Sequence, residues 1–247
     1  MAFLFVDRRV DRKTNFLYYT TLALPLTLIA AGVLLGRDML ATVCAGLAVI
    51  TASLGGHFSR VTLSLHSAVY VLVAVIASGL AAASIRSFLE APRLDVWSSA
   101  SLVAAFVAAG ICSWITAAVH GRTWGRMSRA PKVIVLAALV WSTIGLVVAV
   151  ASSLLPWGEE VDAGMLATLR TGVLAATALA LGGMARIHRL SEARWLTYPV
   201  LAVGGLKLVL DDFPHGRPTT LFLSLALLGT ALVMAPRLAR RTHPMHG

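Results

Sequence analysis

Residues 133–155 read VIVLAALVWSTIGLVVAVASSLL, twenty-three positions without one ionisable side chain. A helix needs about 20 predominantly apolar residues to cross the hydrocarbon layer, so this stretch can span a bilayer by itself. Working outward, seven further apolar runs occupy roughly 15–36, 39–56, 63–84, 100–120, 165–186, 196–213 and 220–238. The polar segments between them are short and leave little chain to fold outside the membrane. The second and seventh runs are the shortest, which brackets the span count between seven and nine around a best value of eight. The expected fold is an all-α polytopic membrane protein.

Composition agrees. Of 247 residues, 58% are hydrophobic and 13% charged, against about 25% charged in a typical soluble domain. Mean hydropathy is +0.82. A soluble enzyme, a disordered chain and a disulfide scaffold are all excluded by these values. Cys44 and Cys112 both fall inside runs, where they serve as small apolar packing residues. The stretch after Arg8–Lys13 is too long for a signal peptide and ends without a small-residue cleavage site, so it reads as an uncleaved signal anchor.

Basic residues set the orientation. With the N-terminus inside, 15 of the 21 Lys and Arg collect on the cytoplasmic side, in five segments running from Arg8 to Arg241. Arg37, Arg86, Arg93 and Arg217 are left outside, together with most of the acids. Both termini are therefore expected in the cytoplasm of a bacterial-type inner membrane. The net charge of +10 is a topology signal spread over separate segments, not a nucleic-acid footprint. Trp97, Trp124, Trp157 and Trp195 flank the run ends as an interfacial belt would.

The halves repeat. Met39-Leu-Ala-Thr42 recurs as Met165-Leu-Ala-Thr168, Gly46 matches Gly172, and Thr51 matches Thr177. Both runs end in a glycine pair, Gly55-Gly56 and Gly182-Gly183, and Tyr70–Val75 resembles Tyr198–Val203. Four spans per unit gives both units one orientation, hence a parallel repeat about an axis along the membrane normal. The expected organisation is a cytoplasmic segment 1–14, four-helix units 15–126 and 127–238, and a cytoplasmic tail 239–247. Ala104, Ala105, Ala108, Ala109 and Gly110 suit close helix packing.

Ionisable residues inside spans cost on the order of 2.5–3.5 kcal/mol each even on insertion scales, which makes them the best functional pointers. Arg170 lies near the outer end of the sixth run. Lys207 lies in the outer half of the seventh, with Asp211 one turn further on and on the same face. Asp212 and Arg217 extend this group into the segment DDFPHGRP, 211–218. Such a cluster could hold an anionic group, a quinone carbonyl or a proton in transit. The more economical reading is an ion-pair network fastening the sixth and seventh spans, with Arg170 and Lys207 snorkelling outward. Gly204-Gly205, just before Lys207, marks either a broken helix or the close approach of another.

His66 and His120, at the cytoplasmic ends of the third and fourth runs, are weak candidates for haem or metal ligation. No catalytic motif appears: there is no HExxH, GxSxG, CxxC or phosphate-binding loop. The chain is therefore expected to be a non-catalytic subunit or scaffold of a larger membrane complex, meeting other membrane subunits or copies of itself, and needing no cofactor. The alternatives are a small transporter or channel centred on Arg170, Lys207 and Asp211, and a redox anchor carrying haem or quinone.

Overall fold

The computed structural model describes residues 12–58, 61–90, 97–118, 129–154, 163–186, 192–215 and 217–239. Among these residues all regular structure is helical. The elements are α1 (Arg12–Leu34), α2 (Arg37–Phe58), α3 (Val61–Ala77), α4 (Leu80–Leu89), α5 (Ala100–Ala118), α6 (Arg129–Ser153), α7 (Ala163–Met184), α8 (Ala193–Lys207) and α9 (Pro218–Ala239). A π-helical turn, Leu208–Asp212, and a short helical turn, Phe213–His215, continue α8.

Helix is the open-ended solution in lipid because it satisfies every backbone group within one segment. Several hydroxyls within the runs obey the same constraint. Thr51, Ser53, Thr116, Thr143, Thr177 and Thr230 each donate to the carbonyl four residues back on their own helix. That is how these sequences carry Ser and Thr without exposing polar atoms to hydrocarbon.

Among the described residues five helices, α2, α5, α6, α7 and α9, are long and apolar enough to cross a membrane, and a sixth span forms if α3 and α4 count as one. The described fold is thus helical, with several helices apolar enough for a multi-pass membrane protein. The structure adds detail to two of the runs. The second run, expected to be short, forms a full 22-residue helix. The third run, expected as one span over 63–84, is broken: α3 and α4 meet at 55°. Gly79 sits at the break with φ of +78°, a left-handed conformation that a side chain would strain. Ser78 Oγ accepts the Leu80 N–H and so supports the first turn of α4.

Packing divides the described helices into two clusters joined by α6. α2 packs on α3 and α5, while α7 packs on α8 and α9. The first core contains Ala48, Val71, Leu80, Ala105 and Cys112; the second contains Ala175, Ala178, Leu208, Leu228 and Ala231. α6 serves both, sending Val135 and Ala149 to the first and Ile144 and Val148 to a patch shared with Leu174. Trp97 belongs to the first core at 9% exposure rather than to an interfacial belt, whereas Trp195 is exposed. Tryptophans 124 and 157, the 126/127 boundary between the two expected units, and most of both expected cytoplasmic end segments fall outside the described residues.

Among the described helices, close crossings depend on missing side chains. A Cβ on Gly145 would lie 2.6 Å from Ser84 Cα, and one on Gly182 would lie 2.7 Å from the Ala235 carbonyl oxygen. Gly55 comes nearly as close to Ser64. These contacts bring α6 onto α4, α7 onto α9 and α2 onto α3, as small residues do between membrane helices.

Candidate functional site

The charged residues of the sixth and seventh runs converge at one end of the second cluster. α7 supplies Arg170, Thr171 and the Ala167 carbonyl; the end of α8 and its π turn supply Lys207, Asp211 and Asp212. Lys207 Nζ donates to the Asp212 carboxylate, to the Ala167 carbonyl oxygen and, at 3.0 Å, to Thr171 Oγ1. Asp211 Oδ2 lies 3.3 Å from the same ammonium. Thr171 in turn donates to Asp212 Oδ2 at 2.7 Å. Thr171 and Asp212 are fully buried.

The i, i+4 pairing of Lys207 with Asp211 is present as the spacing predicts. Asp212 is the residue that the α-helical repeat hides. At about 100° per residue, position i+5 of an α-helix points roughly 140° away from position i. The π turn widens the spiral, with the Phe213 N–H bonded to the Leu208 carbonyl five residues back, and this brings i+5 under i. Both aspartates therefore face one lysine. The glycine pair stays helical, and Gly204 is a close approach: a Cβ there would lie 3.0 Å from Leu228 of α9. The irregularity falls three residues later, at the π turn.

Arg170 points elsewhere. Its Nε donates to the Ser87 carbonyl oxygen at 3.1 Å, Nη2 donates to that of Glu90, and Nη1 lies 3.8 Å from Asp211 Oδ2. Those carbonyls belong to the last turn of α4, where backbone acceptors lack intrahelical donors. A cation there also meets the negative end of the helix dipole. Neither cation snorkels, in contrast to the expectation, since Arg170 is 5% exposed and the Lys207 side chain 10%. Backbone carbonyls and carboxylates inside the bundle supply the acceptors that the membrane surface would otherwise provide. The network fastens the sixth and seventh runs, and it also reaches the bent end of the third.

Beside it runs a line of hydroxyls. Thr168 Oγ1 donates to the Gly164 carbonyl oxygen, and Ser224 of α9 donates to Thr168 at 3.3 Å. Sequence reading missed Thr171, Ser224 and the α4 carbonyls. Hydroxyls in spans carry no sequence signal that distinguishes a self-bonded from a cross-bonded one, and backbone acceptors carry none at all.

Arg217, placed with the cluster by sequence, is exposed at the start of α9, unlike the other four. His66 is half-buried, and its Nδ1 lies 2.7 Å from the Thr62 carbonyl oxygen, which assigns the proton to Nδ1. His120 lies outside the described residues. Among the described residues no group of three or more His, Cys, Asp or Glu side chains is arranged to hold a metal ion.

Chemically, two cations and two carboxylates balance to zero, and the three donors of the ammonium go to Asp212, Thr171 and the Ala167 carbonyl oxygen. Such a centre binds helices to each other. No known protein family matches the chain, nor does any curated protein or solved structure.

Proposed function

We propose that the chain is a non-catalytic subunit or scaffold of a larger membrane complex, held with other subunits or with copies of itself in a bacterial-type inner membrane. The observation that carries this reading is the internal compensation of the intramembrane charge. A transport pathway keeps polar groups available to a solute, whereas Lys207 and Arg170 are engaged by Asp211, Asp212, Thr171 and carbonyls of α4 and α7.

The threading proposed with it has eight spans in two parallel four-helix units and both termini in the cytoplasm. Cross-helix bonds support this path. Ser101 donates to Asp38 at 2.6 Å, Arg170 reaches Glu90, and Arg186 donates to the Leu238 carbonyl oxygen. Each joins two residues that an eight-span path brings to the same side. The repeat gains support from the similar roles of α2 and α7, each packing on two later helices of its own cluster, α2 on α3 and α5 and α7 on α8 and α9.

The native mass of the particle after mild solubilisation tests the proposal. Foreign polypeptides at fixed stoichiometry, or a defined multiple of this chain, are expected; a lone monomer overturns the reading. The transporter alternative draws on the π turn beside the charges, since such turns recur at functional sites. It requires that Lys207→Met abolish flux while leaving the fold intact. The scaffold reading requires that the same substitution loosen the fold.

A further inference from the structure

A cavity of about 280 Å³ lies between α6, α7 and α8, lined among others by Ala137, Trp141, Leu174, Leu196, Val200 and Val203. Among the described residues no polar atom faces it. Trp141 and Leu174 stand near the midpoints of α6 and α7, and Val200 and Val203 near the middle of α8 with its π turn. The cavity is therefore at mid-membrane depth, and it is open beside Pro199 and Val203, which are exposed. Its back wall is stiff: the Trp141 indole stacks on Phe88 of α4 with centroids 5.7 Å apart.

A space of this kind favours an apolar occupant. Water needs two to four polar partners to occupy a cavity, and none is offered here. Left empty, the lining would forfeit its dispersion contacts on one side. The volume is nearly twice that of a dry cavity of about 150 Å³ that captures benzene or xenon. At this depth the medium against the opening is the hydrocarbon interior of the bilayer.

We infer that the groove between α6, α7 and α8 is a binding site for one acyl chain of a bilayer phospholipid, inserted laterally against Trp141 and Val203. The site depends on the chain being membrane-spanning and not on whether it works as a subunit, so the two proposals fail separately.

The test reconstitutes the protein in phosphatidylethanolamine–phosphatidylglycerol vesicles doped with a phospholipid carrying a diazirine midway along one acyl chain. After irradiation, adducts are mapped by peptide mass spectrometry. Adducts are expected to concentrate on α6 around Trp141 and on α8 around Val203, several-fold above those on the exposed α9 face at Phe222, Leu225 and Leu232. Ala137→Phe and Val203→Phe should each reduce groove adducts several-fold and leave α9 labelling unchanged. Val203 is already 38% exposed, so its variant remains informative if Ala137→Phe does not fold. Labelling no higher than on α9, labelling that both variants leave untouched, or protection of the groove by a neighbouring protein's side chain overturns the inference.

Discussion

Asp212 offers the sharpest test of what the charged centre is for. It is 1% exposed, its Oδ1 takes the Lys207 ammonium, and its Oδ2 takes the Thr171 hydroxyl at 2.7 Å. Asp212→Ala removes both acceptors. Stripping one partner from a buried pair costs about 3–5 kcal/mol, and a hydroxyl left without its acceptor adds about 1–3 kcal/mol. Asp211 remains 3.3 Å from Lys207 and offsets part of this, so we expect a loss of about 3 kcal/mol. The double variant Lys207→Leu with Asp212→Leu should behave differently. It removes one charge of each sign, leaves Arg170 with Asp211, and replaces a buried pair by apolar volume, a change that is often neutral or stabilising. It should recover most of the single variant's loss. Reversible unfolding in mixed micelles can be followed by the reactivity of Cys44 and Cys112, both free and buried in the folded chain. A cost below about 1 kcal/mol for Asp212→Ala, or a double variant as unstable as the sum of its singles, refutes the reasoning.

Gly145→Ala should cost about 1–3 kcal/mol through overpacking, because its Cβ would meet the Ser84 backbone at 2.6 Å; Gly46→Ala, with nothing within 4 Å, should be neutral or stabilising, and thermal unfolding in one detergent compares them. Arg170→Met withdraws the donors from the Ser87 and Glu90 carbonyls. Amide exchange should then rise over α4 and stay unchanged in the middle of α9, with Arg170→Lys intermediate because a single ammonium cannot reproduce the fork. For the threading, single cysteines at Glu90 and Ser98 in a Cys44→Ala, Cys112→Ala background should react with an impermeant thiol reagent from outside. A cysteine at Arg186 should react only from inside; the reverse pattern would invert the orientation.

Much of this protein is legible from hydropathy alone, because lipid leaves a chain few choices: Arg129–Ser153 is helical and apolar enough to cross a membrane wherever its neighbours lie. The pairing of Lys207 with Asp211 was equally legible, being local geometry repeated every turn. The break at Gly79 was not, since Gly46 and Gly110, in similar apolar runs, are helical, and only the docking of α4 against Gly145 and Arg170 distinguishes Gly79. Asp212 was legible as a member of the charged group, but its direction was not, for a related reason. Its inward direction requires a π turn, and the composition of Leu208–Asp212 does not announce one.

What the sequence by itself determined is the solvent, the helical class of the apolar runs and the places where charge would have to be compensated, all of which follow from short-range periodicity and from the cost of polarity in hydrocarbon. Only the tertiary structure decided what compensates it. Arg170 finds the carbonyls of a helix some 80 residues earlier in the chain, an acceptor that belongs to the backbone and so leaves no mark on residue identity. The apolar groove at Trp141 and Val203 is likewise a property of how three helices diverge, and no single helix contains it.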